Sequence, residues 1–192
     1  MQNILQFLAP YPGHRIAYHA NCVEIIPPVA EHEYWKEVVS VAISDLAEAL
    51  EIPCESYGST TWLYPAKQVV IEADNCFYLQ RASQICGKLE FDLTVDPPPD
   101  LALKIDLTSP SLDRFPIYAR LGVPEIWRYA NGQLQVYERQ GDHYHLRTTS
   151  IAFPNLPVGE LMPLIEQYRL VGRLALRRAV RDWAAQWRSP QA

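Results

Sequence analysis

Between Pro99 and Arg128 the chain reads PDLALKIDLTSPSLDRFPIYARLGVPEIWR, and its first part alternates strictly. Leu101, Leu103, Ile105 and Leu107 take one face of an extended strand, while Asp100, Ala102, Lys104, Asp106 and Thr108 take the other. A strand whose second face carries Asp, Lys and Asp brings charge to an interior or a cleft, and that face is the candidate site. Two or three carboxylates can hold a hard cation such as Mg²⁺, and a lysine beside them can activate water or steady developing charge on a phosphodiester. A further carboxylate is expected from Glu72 or Asp74, in the strand-like run IEADNCFYL that should neighbour the first. The same residue types also build structural ion pairs, so the pattern alone leaves both readings open.

Other chemistries find little support. No Gly-rich phosphate loop, HExxH or GxSxG motif occurs. His32 stands in the first turn of a predicted helix, where it could face the cleft beside Glu24, although a surface or capping role is expected. His143 and His145 share one strand face with no further ligands to complete a metal set. Tyr57, Thr60, Thr61 and Trp62 could line a substrate groove, since aromatic faces stack on bases, but core packing is expected, and Trp127 and Tyr129 are expected in the core or an interface. Cys22, Cys54, Cys76 and Cys86 form no CxxC pair and are read as reduced, buried small side chains of a cytoplasmic protein.

The elements that must position the site follow from periodicity. Strands are expected over 14–19 and 22–26, then a helix over 31–51 whose stripe of Trp35, Val38, Val39, Ala42, Leu46, Ala49 and Leu50 has spacings of three and four. Strand-like runs cover 56–64 and 68–79, separated by a turn at Pro65-Ala66, and three consecutive prolines lead rigidly into the Asp100 strand. A short helix over 112–121, with Ser111 as N-cap and Gly122 as stop, precedes strands over 123–129, 133–139 and 143–149, joined at Asn131-Gly132 and Gly141-Asp142. Residues 160–187 read as helical, broken near Val171-Gly172. The order is α+β or mixed α/β, with a main domain over 1–155 and a helical extension over 156–192 that packs on the same domain or on a partner subunit.

At 192 residues the chain is long enough to bury a true core, and its net charge of −5 argues against a broad electrostatic grip on nucleic acid. Any such contact must be local. Arg169, Arg173, Arg177, Arg178, Arg181 and Arg188 gather in the last helical stretch, and Trp183 and Trp187 would form an apolar stripe there, which favours a homodimer or docking onto the sheet. No run approaches the ~20 apolar residues of a membrane span.

VEIIPPVAEHEYWK (23–36), GSTTWLYP (58–65), IEADNCFYL (71–79) and the stretch over 97–129 together resemble the Uma-two family of endonucleases, on the PD-(D/E)XK restriction-endonuclease-like fold. The likeness covers most of residues 14–150, in matching order. It implies a mixed central sheet flanked by helices, a metal-dependent DNA endonuclease, and Mg²⁺ or Mn²⁺ as cofactor. Asp74 matches the first metal-binding carboxylate, Asp100 the second proline-aspartate, and Glu24 an acidic position before the first helix; Arg114 falls where the family carries a helix-start lysine. The family glutamate four residues after the second proline-aspartate falls on Lys104. The resemblance thus implies Asp74, Asp100 and Asp106 as the metal set, with Lys104, Glu24 and Arg114 as further catalytic residues. An ammonium ~4 Å from a divalent ion repels it by at most about 8 kcal/mol at an effective dielectric of about 20. Two readings follow: Lys104 disarms the site, tying the three aspartates together and leaving a binding or assembly module, or it serves as the catalytic lysine of a working nuclease.

Overall fold

The runs that look like single strands are each interrupted, and the breaks decide the architecture. The computed structural model describes residues 15–19, 22–26, 29–64, 69–107 and 113–188. After Ser56 the chain turns through Gly58, at φ +58°, so the first run becomes β3 (Glu55–Ser56) and β4 (Thr61–Tyr64). The second breaks at Ala73-Asp74 into β5 (Val69–Glu72) and β6 (Asn75–Tyr78). The halves then join different sheets. With β1 (Arg15–His19) and β2 (Cys22–Ile26), the smaller sheet runs β2-β1-β5-β4. The larger sheet runs β10-β9-β8-β7-β6-β3, with β7 (Leu101–Asp106), β8 (Glu125–Ala130), β9 (Gln133–Gln140) and β10 (His143–Arg147). Among the described residues of this sheet, only β7 and β8 pair in parallel; the other pairings are antiparallel. The turn expected at Pro65-Ala66 lies outside the described residues.

Both faces of the large sheet are covered. The apolar stripe of α1 (Ala30–Ala49) buries Trp35, Val38, Val39, Ala42, Ile43 and Leu46 in the same cluster as Leu101, Leu103, Ile105, Trp127 and Tyr129. On the opposite face, Ile117, Tyr118 and Leu121 of α3 (Phe115–Leu121) meet Cys76, Tyr78, Ala102 and Ile126. Each fully buried Leu or Ile contributes roughly 1.5–3 kcal/mol. All six residues of β7 are buried, so its second face carries Lys104 and Asp106 into the interior rather than into solvent.

The helix expected from residue 112 begins instead at Phe115, with Pro116 in its first turn, where a missing amide costs nothing. Ser111 lies outside the described residues, and Arg114 holds the N-cap position. Gly122 closes the helix as expected: its φ of +89° lets its amide return to the carbonyls of Tyr118 and Ala119. A single short turn, α2 (Ala82–Ile85), follows β6.

Gly172, at φ +119°, separates α4 (Leu161–Arg169) from α5 (Arg173–Ala185). Helix α5 docks mainly on α1 and α4, burying Leu176, Val180 and Ala184. Asp45 of α1, 1% exposed, receives Nε of Arg177 at 3.0 Å and Nη2 at 2.9 Å. Trp183 is half-buried against the core and Trp187 is 40% exposed, so the two tryptophans do not form one exposed stripe. Among the described residues no helix is long and apolar enough to cross a membrane.

Candidate active site

Asp74 sits at the crossing between the two sheets, between the end of β5 and the start of β6. Antiparallel pairing of Asn75 with Leu103 brings it alongside Lys104 and Ile105. Its carboxylate is 3% exposed; Oδ2 accepts the backbone amide of Ile105 at 2.6 Å and Oδ1 lies 3.1 Å from Nε2 of His32. A carboxylate buried this deeply needs such partners, because desolvation is otherwise uncompensated.

On β7, the Lys104 ammonium forms a buried ion pair with Oδ1 of Asp106. The other oxygen of Asp106 accepts Nε–H of Arg128 at 2.6 Å. Arg128 lies directly beside Lys104 on the parallel neighbour β8. One carboxylate therefore stands between two cations, at the carboxyl ends of the two parallel strands, a common place for ligands to bind in α/β sheets.

Asp100 stands apart from this group. It precedes β7 by one residue, four strand positions or about 13 Å from Lys104. Its Oδ2 accepts the amides of Leu79 at 2.8 Å and Arg81 at 2.9 Å, and Oδ1 meets Nη1 of Arg81 at 3.2 Å. These contacts clasp the turn after β6, and the expectation that Lys104 gathers all three aspartates is corrected to that extent. Glu24 lies on β2, the edge strand of the small sheet, with its backbone opposite Ala17. Glu72 pairs with Thr61 inside that sheet.

Arg114 is 3% exposed, and its carbonyl accepts the amides of Ile117 at 3.0 Å and Tyr118 at 3.2 Å. Burial holds the Tyr118 phenol well above its ordinary range; the nearby Arg114 guanidinium opposes that shift and the Asp74 carboxylate adds to it. Arg114 and Asp74 thus both act on one buried phenol.

Arg128 is the residue that sequence reasoning missed, and His32 takes the interior position that it ranked behind a surface role. His32 is buried against Asp74, not on the surface, and its Nδ1 lies 3.1 Å from Oε1 of Glu33. His143 and His145 are exposed on β10. Burial pushes the Cys76 thiol up to about 12 and the Cys54 thiol up to about 11, away from the thiolate a nucleophile needs. Cys86 is exposed, against the expectation of a core role. Tyr57 and Trp62 each meet Tyr78 and Phe91 edge to face, Tyr78 and Phe91 stack on each other, and Trp127 and Tyr129 lie in the core as expected. Among the described residues, no group of three or more His, Cys, Asp and Glu is arranged to hold a metal ion.

Fold and site together define a mixed α/β protein with a mixed central sheet flanked by helices and a charged centre at the end of its middle strands. A model of the Uma2 family, described as "Putative restriction endonuclease", matches residues 3–171, and the chain belongs to that family. Among solved structures it is similar to a putative nuclease belonging to DUF820 from Anabaena variabilis ATCC 29413, with 14% identity, 88% of this chain and 90% of that chain covered, and a TM-score of 0.49. No curated protein sequence matches.

Proposed function

We propose that this chain is a nucleic-acid-binding member of the Uma2 family in which the Lys104 ammonium takes the place of a divalent cation, so that phosphodiester cleavage is lost and DNA binding or assembly remains. The observation that carries this reading is the buried ion pair between Lys104 and Asp106, closed on its far side by Arg128. A divalent ion needs several carboxylate oxygens turned toward it. Here both oxygens of Asp106 already meet cations, those of Asp74 meet His32 and the Ile105 amide, and Asp100 serves the turn at Leu79 and Arg81. This donor set does not fit Mg²⁺ or Mn²⁺ in the arrangement described.

Calorimetric titration with Mn²⁺, together with plasmid nicking in Mg²⁺ with and without EDTA, tests the proposal. The expected result is no micromolar metal binding and no EDTA-sensitive nicking, with duplex DNA still bound. Micromolar metal binding by the wild type would overturn it.

One observation favours a second reading, an active endonuclease: Lys104 does lie beside Asp74 and Asp106, where a catalytic lysine would position water or phosphate. EDTA-sensitive nicking that disappears in Lys104→Met is the signature of that alternative.

A further inference from the structure

Arg128 is the most solvent-accessible member of the charged group. Its side chain is 29% exposed, against 6% for Lys104 and 7% for Asp106. Asp106 takes only its Nε–H, and among the described residues neither terminal amino group of the guanidinium has an acceptor. That leaves the outer edge of a planar fork, whose geometry matches two oxygens of one phosphate or carboxylate. Asp106 stands between the two cations Lys104 and Arg128, with the Asp74 carboxylate alongside Lys104. Register reinforces the geometry, since Arg128 and Lys104 stand side by side on parallel strands and their side chains leave the same face.

We infer that Arg128 is a phosphate-contacting residue of this protein: its outer guanidinium edge takes the non-bridging oxygens of a nucleic-acid backbone phosphate directly, without an intervening metal, and Asp106 is the carboxylate that positions it. This assignment rests on the nucleic-acid-binding reading above. It goes beyond that reading by naming the group that makes the contact and the chemistry that it recognises. Lys104 supplies charge from behind but is itself almost fully buried, so the direct contact belongs to Arg128.

The test is fluorescence anisotropy of a labelled duplex DNA in EDTA, over a series of salt concentrations, with wild type, Arg128→Gln and Arg128→Lys. Arg128→Gln should bind about tenfold more weakly, and the slope of log affinity against log salt should fall by about one, the loss of one phosphate contact. Arg128→Lys keeps the charge that Asp106 faces but loses the fork; its slope should stay near that of the wild type while its affinity falls. It also serves as the readout if Arg128→Gln does not fold, which thermal melts report. Unchanged affinity and slope in Arg128→Gln overturn the assignment and leave the binding reading intact. A wild type that ignores the duplex overturns both. A wild type that melts higher in millimolar inorganic phosphate, yet still ignores the duplex, takes free phosphate instead and likewise overturns the backbone assignment.

Discussion

Nε2 of His32 lies 3.1 Å from Oδ1 of Asp74, joining the first turn of α1 to the point where the chain passes from the small sheet into the large one. The contact ties a helix that covers the sheet to the carboxylate buried at that crossing. Replacing His32 with Ala removes one of the groups facing a buried carboxylate and should cost about 2 kcal/mol. Urea unfolding measures this as a lower midpoint with an unchanged slope. A midpoint equal to that of the wild type would show that the imidazole contributes nothing to holding Asp74.

Lys104 should behave as part of the fold as well as part of the site. Lys104→Met leaves Asp106 with Arg128 alone and should destabilise the protein by about 3 kcal/mol, near the low end for breaking a buried pair. Lys104→Glu reverses the charge and should bind Mn²⁺ more tightly than the wild type does, seen as a metal-dependent rise in melting temperature. If metal leaves the melt of the Lys104→Glu protein unmoved, the Lys104 side chain is not what excludes a cation.

Glu125 offers a stability test that depends on pH. Its carboxylate is 1% exposed and accepts Nε1 of Trp127 and Oγ of Ser150, each at 2.6 Å, and the amide of Ile151, pinning the segment after β10 to the start of β8. Burial raises its pKa, although these donors pull the other way. The native state therefore holds the proton more tightly than the unfolded chain does. Its contribution is complete below the ordinary glutamate pKa and declines as pH rises through the raised value. Glu125→Gln turns an amide NH₂ toward groups that donate and should cost about 2 kcal/mol. The gap in melting temperature between wild type and variant should narrow as pH climbs through that window; a gap that widens contradicts the sign.

Asp45 anchors the C-terminal helix. Its carboxylate is almost fully buried while Arg177 is largely exposed, so the cost of disruption falls on the acid. Asp45→Asn should lose about 2 kcal/mol, the scale of a hydrogen bond to a charged group. Amide hydrogen exchange should quicken across α5 before it does so in β7. Equal acceleration in both elements would show that α5 does not open as a separate unit.

Much of the scaffold was legible from local chemistry. The α1 stripe, the left-handed stop at Gly122, the Asn131-Gly132 turn and the break at Gly172 each follow from side-chain spacing or backbone freedom, and each lies where expected. The alternation of β7 also identified the strand that carries Lys104 and Asp106. What stayed hidden depends on pairing between distant segments. The apolar residues on both sides of Ala73-Asp74 conceal the change of sheet. His32, in the first turn of a helix, looks exposed until the crossing chain is placed over it. Arg128 reads as an ordinary charged position in a strand that also carries Glu125, and only the parallel register sets it next to Lys104. Asp100 looked like one more member of a row because strand alternation records which face a residue takes, and not whether a nearby turn has already claimed its carboxylate.

The amide of Ile105 does not simply complete a ladder between strands, because it ends on the side chain of Asp74 at 2.6 Å. Its proton and nitrogen resonances are thus wired to the charge on that carboxylate and to whatever approaches it. A single backbone signal, followed while DNA, salt or metal is added, makes Ile105 a native spectroscopic probe of the centre that needs no attached label.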